Sequence, residues 1–383
     1  MSNDAGMKET IAILTVSPWD EPKRLRRQLA EVLSADYNVI YITLPYRWKR
    51  PLCDDEWRDG EIRIINIAGP WIPFRILDRI KLFRRIFEIY LAWKLNKLIK
   101  KIEIKTIFCF TSSYPILLKR IKAIPLIYIA NDDFVSMAKN SFLKKDILKK
   151  EADTIELCKC IVSVSETIAR KLAIHGKPVQ VIYPGHDCLP LALESLKNQK
   201  KINKSACFYG YIDWRIDFNL LEKMLDTGWF VRLIGPILGV IQDIERLRKS
   251  YPTSFQVQSA IPANQALDTL SLHSILILPY LYKNKEQAEA IELPNKIFVY
   301  FSALRPIVAT WMPNLKFTQS GLIYQGKTSE DFISQCNKAY QEDSIEHASV
   351  RLKIANENKW DARSEVLRQL INNHVDTDNL KSI

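Results

Sequence analysis

Glu292-Leu293-Pro294-Asn295-Lys296-Ile297-Phe298-Val299-Tyr300 runs on through Phe301-Ser302-Ala303-Leu304-Arg305-Pro306 into Ile307-Val308-Ala309-Thr310, and its reading decides the fold. It spells a turn, a short helix, a second turn and a buried β-branched strand. Proline opens a helix without losing a hydrogen bond, because its missing N–H would be an orphan there. The free N–H groups of such a first turn form an anion site, to which Lys296 adds a positive charge. The apolar run at 307–309 reads as a strand of a parallel sheet covered on both faces.

The same alternation of short β-branched runs with longer helical patterns extends in both directions. Strands are expected near residues 11–16, 38–43, 62–67, 106–111, 126–129, 161–164 and 179–183 in the first half. The second half restarts at 206–209 and continues through 230–234, 255–257, 275–278, 307–309 and 322–324. That is the pattern of two parallel sheets covered by helices. Pro184-Gly185-His186-Asp187 and the polar stretch that follows divide them. The expected organisation is a first α/β domain at 1–185, a linker at 186–205, a second α/β domain at 206–350 and a helical tail at 351–383 with Trp360 as its anchor.

With 383 residues and 47% apolar content, the chain can fill two cores. No apolar run approaches the roughly 20 residues of a membrane span, and the start, MSNDAGMKET, lacks the features of a secretion signal. The expectation is a cytoplasmic protein, peripheral on the inner face of the cytoplasmic membrane. Seven cysteines without a C-x-x-C pair argue for free thiols and against a disulfide framework or a zinc site. Up to Gly185 the chain carries 32 Lys and Arg against 21 Asp and Glu, a balance of +11 out of a total of +12. A basic first half suggests an anionic counterpart: lipid head groups, a diphosphate-linked acceptor or nucleic acid.

The stretch at 292–310 resembles the P-x-K-x-x-E-Y-x-x-x-x-x-P-V-V-A-T segment of GT-B glycosyltransferases of the family 4-like type. Weaker pieces follow in the family's order: Ser17-Pro18-Trp19-Asp20, Tyr128-Ile129-Ala130-Asn131-Asp132-Asp133, Val162-Ser163-Val164-Ser165-Glu166, Pro184-Gly185-His186-Asp187, Phe208-Tyr209-Gly210, Leu233-Ile234-Gly235-Pro236 and Leu278-Pro279-Tyr280. The resemblance implies a GT-B fold, two Rossmann-like domains facing a central cleft, with acceptor on the first and nucleotide-sugar, UDP-linked, on the second. The family's second glutamate, which binds the ribose hydroxyls, is Val299 here, and Glu292 stands one residue out of register with the first. The segment Leu126-Ile127-Tyr128-Ile129-Ala130-Asn131-Asp132 is similar to one in the glucuronosyltransferase of xanthan assembly, an inverting enzyme. Asp132 falls on that enzyme's aspartate base, and that enzyme also lacks the second glutamate.

An inverting transfer needs a carboxylate to take the acceptor's proton and cationic or backbone donors to hold the departing diphosphate. Asp132 and Asp133, just past a strand's carboxyl end, are the candidate bases, with helix capping as their structural alternative. Asp20 and Glu21 in the first loop come next; their alternative is capping a helix at 22–33. Retaining members commonly carry a sugar-contacting histidine on a first-domain loop, whereas the first histidine here is His175, which favours inversion. His186 reads as a solvated turn residue or a nucleotide contact.

For the donor, Lys296 and Arg215 are the diphosphate candidates, flanked by Glu292 and Asn295. Gly210 and Gly235, each closing a strand, let backbone approach a ligand. Ser259-Ala260-Ile261-Pro262 resembles the family segment whose backbone reads the base, which puts Ile261 there. No D-x-D metal motif is apparent within the two expected α/β domains, and a cationic phosphate site makes a metal unnecessary; no cofactor beyond the nucleotide-sugar substrate is expected.

Residues 75–101 carry nine Lys and Arg against Asp78 and Glu88, interleaved with aromatic and aliphatic residues at helical spacing. They read either as a helix with a charged outer face or as an attachment to anionic lipid, to which Tyr46-Arg47-Trp48-Lys49-Arg50 adds an interfacial pattern. No nucleic-acid-binding signature accompanies them. A lipid-linked or polysaccharide acceptor fits this setting. The other readings are a catalytically silent partner that binds glycan or a sister transferase, and a UDP-sugar 2-epimerase.

Overall fold

The computed structural model describes residues 8–379 apart from 22–23, 47–52, 71, 101, 122–123, 139, 199–201, 283 and 295. The chain forms two compact units, one made of residues up to Tyr183 together with those from Arg363, the other of Pro184–Ala362. Among the described residues no helix is long and apolar enough to cross a membrane.

The first unit holds β1 (Thr10–Thr15), β2 (Asn38–Thr43), β3 (Asp55–Asp59), β4 (Ile62–Asn66), β5 (Ile104–Cys109), β6 (Leu126–Ala130), β7 (Cys160–Ser163) and β8 (Val179–Val181). They form one sheet in the order β3-β4-β2-β1-β5-β6-β7-β8, parallel except for β3 against β4. Alternate residues of β1 point to opposite faces. Ala12 and Leu14 meet Phe87, Leu91 and Leu95, while Ile11 and Ile13 join the cluster of Leu29, Leu33, Leu367 and Ile371. Strand β3 escaped the sequence reading because an edge strand needs no apolar face: Asp-Glu-Trp-Arg-Asp is mostly exposed. It is held by a two-residue loop at Gly60-Glu61, with Gly60 at φ +57°, and by Arg63 on Glu56 at 2.7 Å.

The second unit holds β9 (Ile202–Tyr209), β10 (Phe230–Ile234), β11 (Phe255–Gln258), β12 (His273–Leu278), β13 (Ile307–Thr310) and β14 (Ile323–Gly326), all parallel, in the order β11-β10-β9-β12-β13-β14. Strand order reverses between β9 and β12, the point at which an open α/β sheet leaves room for a ligand. Part of the expected linker is sheet, since β9 begins at Ile202. The expected tail is also divided. The helix Ile345–Glu357 lies wholly within the second unit, whereas the helix Trp360–Asn379 starts there and sends Leu367 and Ile371 into the first unit's core.

Arg305, from the opening stretch, is fully buried. It donates to the Ser271 carbonyl at 2.7 Å and shares Asp343 with the equally buried Arg351. Removing a partner from such a buried group leaves uncompensated charge, at a cost of about 3–5 kcal/mol.

Candidate functional site

The carboxyl ends of β9 and β12 converge on Lys296. Its Nζ lies 4.0 Å from the centre of the Phe208 ring and 5.2 Å from that of Tyr280. A Cβ added to Gly210 would sit 2.4 Å from the same Nζ, so the glycine at the end of β9 makes the space the ammonium occupies. One strand over, Gly235 has φ +149°, and a Cβ there would come within 1.9 Å of the Gly210 carbonyl oxygen. The two glycines are packed back to back, with the Gly210 N–H donating to the Ile234 carbonyl and the Gly235 N–H to Gln258.

Asp213 and Arg215, an ion pair, stand beside Lys296. Arg215 Nε lies 2.9 and 3.2 Å from the two Asp213 carboxylate oxygens, Nη2 lies 2.6 Å from the second, and the Arg215 N–H donates to the first at 3.0 Å. Burial works to raise the Asp213 pKa, but these hydrogen bonds, with the charges of Arg215 and Lys296, hold it below the usual range. Burial and then the Arg215 charge push Lys296 down to about 7, with Asp213 opposing them. An arriving anion favours the protonated ammonium, so the site is poised to gain charge as it binds.

The helix of the opening stretch is shorter and more enclosed than its sequence suggested. It spans Ile297–Ser302, all six residues are buried, and the Ile297 N–H already donates to the Pro294 carbonyl. The Ile297 N–H is thus not free for an anion, which leaves the Lys296 and Arg215 side chains as the candidate diphosphate contacts. Val299 is among the buried residues, and Glu292 is also buried, with its carbonyl accepting from the Lys316 N–H at 2.9 Å. Asn295 lies outside the described residues. Ile261 is brought to β9 by its carbonyl, which accepts from the Tyr209 hydroxyl at 2.8 Å.

Tyr209 and Tyr300 stand inside the sequence motifs, but their roles were not legible because their partners are distant in the chain; Asp213, bonded to Arg215 two residues on, was not singled out at all. The fully buried Tyr300 hydroxyl receives the Tyr209 N–H at 2.8 Å and lies 3.3 Å from the Ile277 carbonyl, stitching β9 to β12 behind the site. His186 is not a turn residue in solvent. It is buried, with Nε2 2.6 Å from the Ala355 carbonyl and its ring stacked on Phe298, and the backbone at 358–360 covers it.

On the first unit the two candidate carboxylates after β6 differ sharply. Asp133 is held by Lys171 at 2.5 Å, while its other oxygen accepts from the Ser136 N–H at 3.0 Å. It thus caps a turn, and the following helix, Ser141–Leu157, is capped by Asn140 instead. Asp132 is exposed and feels the charge of Arg26. Asp20 is also exposed, and the helix Leu25–Leu33 has Arg24, not Asp20 or Glu21, at its N-cap position, with no side-chain cap from it.

No family model and no curated protein matches this sequence. Solved structures do match its fold. The sucrose-phosphate synthase of Thermosynechococcus elongatus superposes with a TM-score of 0.73 at 16% identity, over 97% of this chain and 100% of that one. The apo lipopolysaccharide outer core galactosyltransferase WaaB gives 0.64 at 10% identity, over 95% of this chain and 99% of that one. HepE of Anabaena, solved in complex with UDP and glucose, gives 0.62 at 13% identity, over 97% and 99%. The chain has the GT-B fold of these glycosyltransferases.

Proposed function

We propose that this chain is a glycosyltransferase that moves a sugar from a nucleotide-sugar to a lipid-linked or polysaccharide acceptor at the cytoplasmic face of the membrane. The observation that carries the reading is the Lys296–Arg215 pair at the strand-order reversal of the second unit, with Gly210 making room for the ammonium. Lys296, whose protonated form an arriving anion favours, stands with the Asp213-paired Arg215 beside glycine backbone in a way that suits a diphosphate, and the UDP and glucose held by HepE support a UDP-linked donor.

The proposed reaction is inverting and metal-independent. Asp132 takes the proton of the acceptor hydroxyl as that oxygen bonds to the anomeric carbon. The bond from the anomeric carbon to the diphosphate breaks, and the electron pair leaves with the nucleoside diphosphate, whose charge Lys296 and Arg215 receive. Asp133, already engaged by Lys171 and Ser136, is the less suited base.

The test incubates pure protein with a panel of nucleotide-sugars, with and without a polyprenyl-phosphate-linked glycan. Acceptor-dependent release of the nucleoside diphosphate with growth of the glycan is expected. Release of free or epimerised sugar without an acceptor would replace this reading with an epimerase. The burial of Val299, where the family's ribose-binding glutamate would stand, favours one second reading, a silent partner protein. That reading predicts glycan or protein binding with no turnover of any donor.

A further inference from the structure

The helix Lys81–Ile99 is apolar on two faces. Phe87, Leu91 and Leu95 point into the first unit's core. The opposite stripe is uncovered: Leu82 is 64% exposed, Ile86 50% and Trp93 59%, with Phe83, Ile89 and Tyr90 beside them. Positions 82, 86, 89 and 93 recur every three to four residues and so share one face. Contiguous exposed apolar surface of this kind marks an interaction site.

Charge identifies the partner. Arg79, Lys81, Arg85, Lys97 and Lys100 are exposed around the stripe. The helix contains a single acid, Glu88, and it is turned inward, accepting from the Ile116 and Leu117 N–H groups at 2.8 and 3.2 Å and from Arg84 at 3.1 Å. The outward surface of this helix is therefore only apolar and cationic. A second copy of the chain would set these cations against themselves, whereas an anionic bilayer matches both features. Lys97 lies 5.7 Å from the Trp93 ring centre, the arrangement by which long cationic side chains accompany interfacial aromatics, while Lys94, 5.3 Å from that of Tyr90, is held by Asp54 at 2.7 Å.

From these observations we infer that the outer face of Lys81–Ile99 docks in the surface of an anionic lipid bilayer. Leu82, Ile86 and Trp93 enter the headgroup region, and the flanking Arg and Lys meet lipid phosphates. This deepens the membrane placement in the proposed function and rests on it, while it is independent of the nucleotide chemistry.

The experiment is cosedimentation of the full chain with phosphatidylcholine vesicles, with and without phosphatidylglycerol, across a salt series. The wild type should bind the anionic vesicles and release as salt rises. The combined Leu82→Ser, Ile86→Ser and Trp93→Ser variant should bind at least about tenfold more weakly, and Lys81→Glu with Arg85→Glu and Lys97→Glu should abolish binding. These side chains are exposed, so folding should hold, and unchanged UDP titration of the variants would separate loss of docking from loss of the donor site. Equal binding to neutral vesicles overturns the inference, as does anionic binding that the serine substitutions leave intact. Self-association of the wild type that those substitutions abolish would assign the stripe to a second copy instead.

Discussion

At the scale of single residues, Lys296 carries the account. Its folded pKa of about 7 lies below the ordinary 10.5, so the unfolded chain holds this proton more tightly. The resulting stability penalty is full below about pH 7 and fades as pH rises toward 10.5. Lys296→Met should therefore leave the fold as stable or more stable at pH 7 in chemical denaturation, while weakening nucleoside diphosphate binding; a structural lysine would show the reverse. A bound diphosphate raises this pKa, so binding at and above pH 7 should take up a proton, and affinity should fall as pH rises past 7. Calorimetry in buffers of different ionisation enthalpy reads that uptake directly, and Lys296→Met should remove it. The two aspartates after β6 separate just as clearly. Asp132→Asn should lower turnover by about 100-fold or more with UDP affinity unchanged, because the amide keeps the shape but cannot accept the proton. Asp133→Asn should mainly cost about 1 kcal/mol of stability through its lost turn cap and its pair with the half-exposed Lys171. Near-normal turnover in Asp132→Asn with loss in Asp20→Asn would move the base to the first loop.

At the scale of elements, the strand-ending glycines are the test of how the site is built. Gly235→Ala meets the Gly210 carbonyl, a backbone atom that cannot yield, and should cost about 2–4 kcal/mol or prevent folding. Gly210→Ala meets the end of a flexible lysine instead, so beyond about 1–3 kcal/mol of backbone strain its effect should fall on diphosphate affinity. Wild-type stability in Gly235→Ala would show that the two turns are not packed as described. Most strands were legible because parallel strands covered on both faces must be written in Val, Ile and Leu. Strand β3 was not, since its edge position and exposed side chains free it from that requirement. The Pro294–Lys296 turn was readable as a cationic position. The partnership of Lys296 with Asp213 and Arg215, some eighty residues earlier, depends on the β9–β12 crossover and has no local signature. The solvated-turn reading of His186 failed for a related reason: the segment that buries it, 355–360, is about 170 residues away.

At the scale of the whole molecule, the division of labour follows the division of charge. The first half holds nearly all of the chain's positive balance, including the cationic helix face, while the cationic pair and glycine turns lie in the near-neutral second half. The chain passes from one unit to the other twice, at Tyr183–Pro184 and at Ala362–Arg363, so its last helix belongs to both. The central claim is that the second unit holds a nucleoside diphosphate at Lys296 and Arg215. The most direct measurement is calorimetric titration of UDP into the folded wild-type protein and into Lys296→Ala. The account predicts saturable binding by the wild type, weakened by about 1.5–3 kcal/mol in the variant. Failure of the folded wild type to bind UDP or any other nucleoside diphosphate, or equal affinity in the two proteins, would contradict it.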